Sequence, residues 1–328
     1  MPMLQGQEPS AVAQAARVLA DGELVAFPTE TVYGLGARAD DDAAVARIFG
    51  AKGRPADHPL IVHVADAGAA QAFCADVPPL AKTLMARFWP GPLTLILPRR
   101  PGIAAAAAGG QDSIGLRCPA HPVARALLSA AHALGVAGVA APSANRFGRV
   151  SPTRAEHVVQ EFGADLCVLN GGACAVGIES TIVDCTRLPP ALLRPGGLPR
   201  DLLEAAVGAP LAVPDAGRPR ASGTLASHYA PRARVRLFPD AAALSAALAS
   251  RAADTLLHNV AVYSRSLSAV PGGAVLQAMP ATPDAAAHEL FAVLRALDAT
   301  GVAEIWVEHP PADAAWEAVN DRLRRAAA

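Results

Sequence analysis

Short apolar runs and amphipathic stretches alternate along most of the chain. Residues 23–27 (ELVAF) form an apolar run stopped by Pro28, which predicts a strand. Within residues 41–51, Val45, Ile48 and Phe49 recur at helical spacing on one face, which predicts a helix. The same reading gives strands at 60–64, 93–97, 114–117 and 139–141, and helices at 80–88 and 121–134. The first of these helices is broken by Trp89-Pro90-Gly91-Pro92. Thr153 and Glu156 have capping-box spacing and are expected to open a helix that ends near Gly163. Strands at 166–169, 181–184 and 191–194 close this region.

The pattern then lapses. Pro210, Pro214, Gly217, Pro219, Gly223 and Pro231 punctuate residues 208–231, which are expected to link two domains, 1–207 and 232–328. The linker also holds Ser227, His228 and Tyr229, which a passive tether does not need. Beyond it a strand–helix rhythm resumes: strands at 235–238, 260–263, near 274–279 and 305–308, helices at 283–297 and up to Arg325, and an alanine-rich helix after the first strand. Strands separated by helices imply a small, mainly parallel α/β sheet.

Composition adds limits. The chain has 328 residues, 52% of them hydrophobic, enough for a sizeable core. Its formal net charge of −1 argues against a protein whose main affinity is non-specific attraction to nucleic acid. The five cysteines form no CxxC pair, so neither a disulfide framework nor a structural zinc site is expected. No basic start precedes an apolar stretch, and no uncharged run is long enough to span a membrane, which together point to a cytoplasmic protein.

The chain lacks the GxxxxGK[ST], GxGxxG, HExxH and GxSxG patterns. Its polar residues gather instead at strand ends. Pro28-Thr29-Glu30-Thr31-Val32-Tyr33-Gly34-Leu35-Gly36 follows a buried strand and reads as a capped turn or as a binding loop. Lys52 and Arg54, two apart at a helix end, can converge on one anion or simply complement the helix dipole. His63 lies inside an apolar strand, in phase with Ile61. Arg117 ends another strand, where burial demands an anion, either a substrate carboxylate or a structural Asp or Glu. Ala141-Pro142-Ser143-Ala144-Asn145, Ser151, Gly177-Ile178-Glu179-Ser180-Thr181 and Arg194-Pro195-Gly196 add hydroxyl, amide and guanidinium groups beside glycines. No Cys–His or Ser–His–Asp grouping accompanies them. The set suggests binding and orienting charged reactants without a covalent enzyme intermediate.

In order, PTETVYGLG, KGRP with HPLIVHV, WPGPLT, SIGLRCP, APSAN, and GIESTIVD followed by LLRPG resemble the signature of the YrdC-like family of L-threonylcarbamoyladenylate synthases, over roughly residues 12–207. ASGTLASHYAP is similar to the linker of the family's long, two-domain form. The resemblance implies a YrdC-like twisted mixed sheet with helices and a central cleft, plus a smaller Rossmann-like C-terminal α/β domain. It also implies a nucleotidyltransferase that condenses L-threonine, bicarbonate (or CO2) and ATP into threonylcarbamoyl-AMP and pyrophosphate, with magnesium accompanying the nucleotide. A downstream transferase would pass the product to adenosine 37 of tRNA, and a weak RNA contact is a further expectation. Carried over by motif, threonine contacts are Thr31, His63, Arg117, Ala141 and Ser180, and nucleotide contacts are Arg54, His58, Ser113, Ser143, Ser151, Arg194 and Tyr229. Lys52, Arg54, Ser143 and Asn145 match the family's catalytic KxR and SxN pairs, and no protein-held metal is implied. His58 stands where the family usually has Asn. The missing CxxC pairs disfavour a related carbamoyladenylate enzyme of metal-centre maturation, and near-neutral charge disfavours an RNA-binding module.

Overall fold

The computed structural model describes residues 3–254 and 257–328. The chain divides into two compact units, one running to Phe147 and resuming at Ser151–Thr224, the other made of Gly148–Val150 and Leu225–Ala328. Most of the expected linker, up to Thr224, therefore packs as part of the first unit. Among the described residues no helix is long and apolar enough to cross a membrane.

The first unit contains β1 (Leu4–Gln5), α1 (Pro9–Ala20), β2 (Val25–Phe27), β3 (Gly34–Arg38), α2 (Asp42–Lys52), β4 (Ile61–His63), α3 (Pro79–Phe88), β5 (Leu93–Pro98), β6 (Ser113–Arg117), α4 (Pro122–Ala133), β7 (Val139–Ala140), α5 (Ala155–Phe162), β8 (Cys167–Asn170), β9 (Thr181–Asp184), β10 (Ala191–Arg194) and α6 (Arg200–Val207). Its ten strands form one mixed sheet in the order β1-β8-β2-β3-β7-β4-β6-β5-β9-β10.

Strand alternation divides the sheet into two faces with different jobs. Val62, Leu95, Leu116 and Val183 point into the main core, with Val45 and Ile48 of α2 and Leu84 of α3. The other face carries the residues between them. His63 pairs in register with Arg117, Thr94 pairs with Ile182, and Ile182 pairs with Arg194. Thr94 lies one step beyond the Leu95–Leu116 pair and so faces Arg117. A row crossing five neighbouring strands thus carries polar side chains on four of them, with Ile182 between Thr94 and Arg194. Beside it, Ile61, Ile96, Ile182, Ala191 and Leu193 form an apolar floor, with Ala212 and Ala221 of the 208–224 segment packed against it.

The sequence reading differs from this structure in definite places. It contains no helix before residue 23, yet α1 buries Ala11, Val12, Ala15, Ala16 and Leu19. The helical spacing is present, but three of the five buried residues are small alanines, which give it little apolar contrast. β3 forms where a glycine loop is expected. A Cβ on Gly36 would come within 2.8 Å of both Phe27 and Val139, so the glycine is there to let neighbouring side chains cover the strand. The capping box at Thr153 does not form: Arg154 is the N-cap of α5 without a side-chain bond, and the Thr153 N–H donates to His157 Nδ1 at 3.3 Å. α6 also escapes the pattern, because only its Leu203 is buried.

The second unit contains β11 (Arg234–Phe238), α7 (Ala241–Asp254), β12 (Val260–Ser264), β13 (Val275–Ala278), α8 (Pro283–Ala299), β14 (Glu304–Glu308) and α9 (Glu317–Ala326). Its strands pair entirely in parallel, in the order β11-β14-β12-β13. Phe238, Leu244, Leu248, Val260, Val262 and Trp306 make its core.

Candidate functional site

Helix α2 sets one edge of the site. Asp41 caps its start by accepting from the Ala43 and Ala44 N–H groups, and Gly53 ends it in the left-handed conformation at φ 63°. Lys52 is therefore the last helical residue and Arg54 the first beyond the cap. Lys52 is only 3% exposed, and its Nζ donates to the Ser143 carbonyl at 2.6 Å and to the Asn145 carbonyl. Burial, and next the charge of Arg54, push its pKa well below the ordinary lysine value. Lys52 thus holds the Ser143–Asn145 turn by its backbone, and the Phe147 N–H returns a bond to the Lys52 carbonyl at 2.9 Å. Arg54 Nη2 donates to the Pro59 carbonyl at 2.9 Å and to Ser222 Oγ at 3.2 Å, and the guanidinium lies 5.9 Å from the centre of the Phe147 ring. His58 meets that same ring edge-on at 5.4 Å, and desolvation, followed by Arg54, lowers its pKa.

The turn after β2 is a capped turn. Thr29 Oγ1 donates to the Val32 carbonyl at 2.7 Å and accepts from the Thr31 and Val32 N–H groups. That leaves Thr31 and Glu30 aimed at Arg117, whose Nη1 donates to Thr31 Oγ1 at 2.8 Å and whose Nη2 donates to Glu30 Oε1 at 2.5 Å. Arg117 Nε adds a bond to the Gly91 carbonyl at 3.2 Å. Glu30 supplies the structural carboxylate that the sequence allowed for Arg117. Burial alone would raise the Glu30 pKa, but the Arg117 charge and hydrogen bonds outweigh it and hold the pKa below the usual value. His63, beside Arg117, is pushed down to about 3 by desolvation first and the Arg117 charge second, so its ring is neutral at physiological pH. Ala141 closes this end, its N–H donating to the Ile61 carbonyl at 2.9 Å.

On the other side of the polar row, Ser180 Oγ lies 2.8 Å from Thr94 Oγ1. Arg194 grips the Ser180 carbonyl through Nε at 3.1 Å and Nη2 at 2.8 Å, while its Nη1 donates to the Ser222 carbonyl at 2.8 Å. Ser222 therefore joins two cations, Arg54 just after α2 and Arg194 at the end of β10, that lie far apart in sequence. Ser151 Oγ donates to Glu179 Oε1 at 2.5 Å, next to Ser180 in sequence. The 208–224 segment is fastened further along by Arg218, whose Nη1 meets the fully buried Asp184 at 3.0 Å.

Of the expected site residues, Thr31, His63, Arg117, Ser180 and Arg194 belong to one continuous polar row with its contacts, and Lys52, Ser143 and Asn145 to one bonded turn. Arg54 is linked to Arg194 through Ser222. Ser113 is set apart: it begins β6 while Arg117 ends it, and it lines a cavity of about 450 Å³ with Gln111, Thr186 and Arg218. Tyr229 lies in the second unit, 1% exposed, stacked on Phe291 at 5.3 Å and covered by Arg322 at 5.2 Å. Sequence reasoning left out Thr94, Ser222 and Glu179 as site residues. Thr94 had a signal, a hydroxyl in an otherwise apolar strand, whereas Ser222 was marked only by its place in the ASGTLASHYAP stretch. Among the described residues no three His, Cys, Asp or Glu side chains converge on a metal-sized space.

Residues 17–196 match the family model Sua5–YciO–YrdC, described as telomere recombination, and residues 198–328 match one described as the C-terminal domain of threonylcarbamoyl-AMP synthase. Threonylcarbamoyl-AMP synthase of Pyrococcus abyssi is 39% identical over 95% of this chain and 92% of that protein. The protein of that name from Bacillus subtilis is 45% identical over 68% of this chain and 65% of its own length. Among solved structures, P. abyssi Sua5 complexed with L-threonine superposes with a TM-score of 0.89 at 38% identity, covering 98% of this chain and 95% of that one.

Proposed function

The chain belongs to the Sua5–YciO–YrdC family, and from that premise we propose that it is a threonylcarbamoyl-AMP synthase acting as a nucleotidyltransferase. L-threonine and bicarbonate (or CO2) give N-carboxythreonine. A carboxylate oxygen of that carbamate attacks the α-phosphorus of ATP, the bond between the α- and β-phosphates breaks, and pyrophosphate leaves. The observation that carries this reading is the polar row itself. It sets a guanidinium for a carboxylate, Arg117, on the same sheet face as the guanidinium Arg194, which Ser222 ties to Arg54.

The side chains divide the work by chemistry. Arg117 has N–H groups beyond those given to Glu30, Thr31 and Gly91, and these would receive the threonine carboxylate. Thr31, His63, Ala141 and Ser180 would surround the rest of the amino acid. Arg54 and Arg194 would face the phosphates as planar, multidentate donors, with His58, Ser113, Ser143, Ser151 and Tyr229 as further nucleotide contacts. Lys52 and Asn145 would fix the turn that presents Ser143. The rate enhancement then comes from orientation and from charge stabilisation at the α-phosphate. Magnesium enters as part of the nucleotide substrate, and downstream machinery in the cytoplasm would transfer the product to tRNA. The test is pyrophosphate release from ATP. It should require L-threonine and bicarbonate together; equal release with serine, or without an amino acid, contradicts the assignment.

A further inference from the structure

Thr94 is a hydroxyl residue with no exposed surface, placed in the middle of the polar row between Arg117 and Ile182. Its Oγ1 makes one hydrogen bond among the described residues, to Ser180 Oγ at 2.8 Å. Ser180 Oγ also accepts from Arg194 Nη2 at 3.2 Å. The hydrogen count of this trio has a consequence. The two hydroxyls carry one hydrogen each and share one bond, so one hydroxyl hydrogen is left over. A buried donor without an acceptor is costly, and among the described residues no second protein acceptor meets this pair. The spare hydrogen is suited to a neutral substrate oxygen, because Arg117 and Arg194 already provide the charged donors of the row.

Resting on the reading of this site as one for L-threonine, we propose that Thr94 is a positioning residue that orients the Ser180 hydroxyl toward the substrate's side-chain hydroxyl. When Thr94 donates, both accepting positions of Ser180 Oγ are filled, by Thr94 and by Arg194, and Ser180 must donate outward. Without the Thr94 hydroxyl, Ser180 turns freely, and the site loses its definition toward a hydroxylated amino acid. The larger effect belongs to amino-acid binding, since Thr94 makes its hydrogen bond to Ser180, while Arg194 also keeps its bonds to the Ser180 and Ser222 carbonyls when the Thr94 hydroxyl is removed.

Thr94→Val keeps the shape and removes the hydroxyl, Thr94→Ser keeps the hydroxyl, and Thr94→Ala guards against poor accommodation of valine. Steady-state pyrophosphate release with each variant would give KM for L-threonine, KM for ATP and kcat. Loss of one neutral hydrogen bond predicts a threonine KM raised about three- to tenfold in Thr94→Val and Thr94→Ala. The ATP KM should stay within about twofold, and Thr94→Ser should restore the parental threonine KM. A threonine KM unchanged in both Val and Ala variants, or equal shifts for threonine and ATP that serine does not restore, overturns the proposal. Wild-type protein whose release ignores threonine instead overturns the reading of the site, and this proposal with it.

Discussion

Arg117 Nη2 donates to Glu30 Oε1 at 2.5 Å, with the two side chains only 4% and 12% exposed. A residue expected to meet a substrate carboxylate is thus held in place by a carboxylate of the protein. Removing one partner of such a pair leaves an uncompensated buried charge, at a cost of about 3–5 kcal/mol. Arg117→Met and Glu30→Gln should each lower the unfolding free energy by that order in denaturant titrations, and the double variant should lose less than their sum. Single variants within about 1 kcal/mol of the parent would show that the pair is solvated in solution.

The same pair sets a pH dependence. The folded-state pKa of Glu30 lies below its ordinary value of 4.5, so its stabilising contribution is complete above that pH and is lost as the pH falls through the folded pKa. The stability gap between parent and Glu30→Gln should therefore shrink on acidification below pH 4.5. A gap that is constant with pH would contradict the coupling to Arg117.

Lys52 and Arg54 should fail in different ways. Lys52 donates to two backbone carbonyls of the turn that carries Ser143, whereas Arg54 meets Ser222 and the Pro59 carbonyl. Lys52→Met should both lower turnover, by roughly ten- to a hundredfold, and destabilise the fold, because two buried carbonyls lose their donor. Arg54→Ala should lower turnover by a similar factor with a smaller loss of stability, since Arg54, although only 8% exposed, bonds the Pro59 carbonyl and Ser222 and does not hold two carbonyls of one turn. Turnover within about twofold of the parent in both variants would return this loop to a mere helix end.

The sheet strands that carry the site were legible because each is a short apolar run bounded by Gly or Pro, and the polar residues at their ends stand out. Thr94 and Ser222 were not legible as partners. Thr94 meets Ser180 across a strand pairing that joins residues far apart in sequence, and Ser222 reaches Arg54 and Arg194 from a segment with no periodic pattern. The glycine strand β3 was hidden for a different reason. Its burial comes from Phe27 and Val139 covering a bare backbone, which hydrophobic alternation does not report.

Tyr229 requires variants that separate packing from chemistry. It is a non-glycine residue at φ 63° in the core of the second unit, stacked on Phe291. Tyr229→Ala should destabilise that unit by about 3–5 kcal/mol, the range for deleting a buried aromatic ring. Tyr229→Phe keeps the ring and removes only the hydroxyl, so it should leave stability close to the parent while weakening ATP affinity. A Tyr229→Phe protein with parental ATP affinity in isothermal titration would restrict this residue to packing.

The central claim is that the polar row joins three reactants into one adenylate. Carbon-13 bicarbonate, L-threonine and ATP should be incubated with the full chain and the nucleotide products read by mass spectrometry. The account predicts an AMP conjugate carrying both threonine and the labelled carbon, formed with pyrophosphate and absent when threonine is omitted. Pyrophosphate release with no labelled carbon in any AMP conjugate would contradict it.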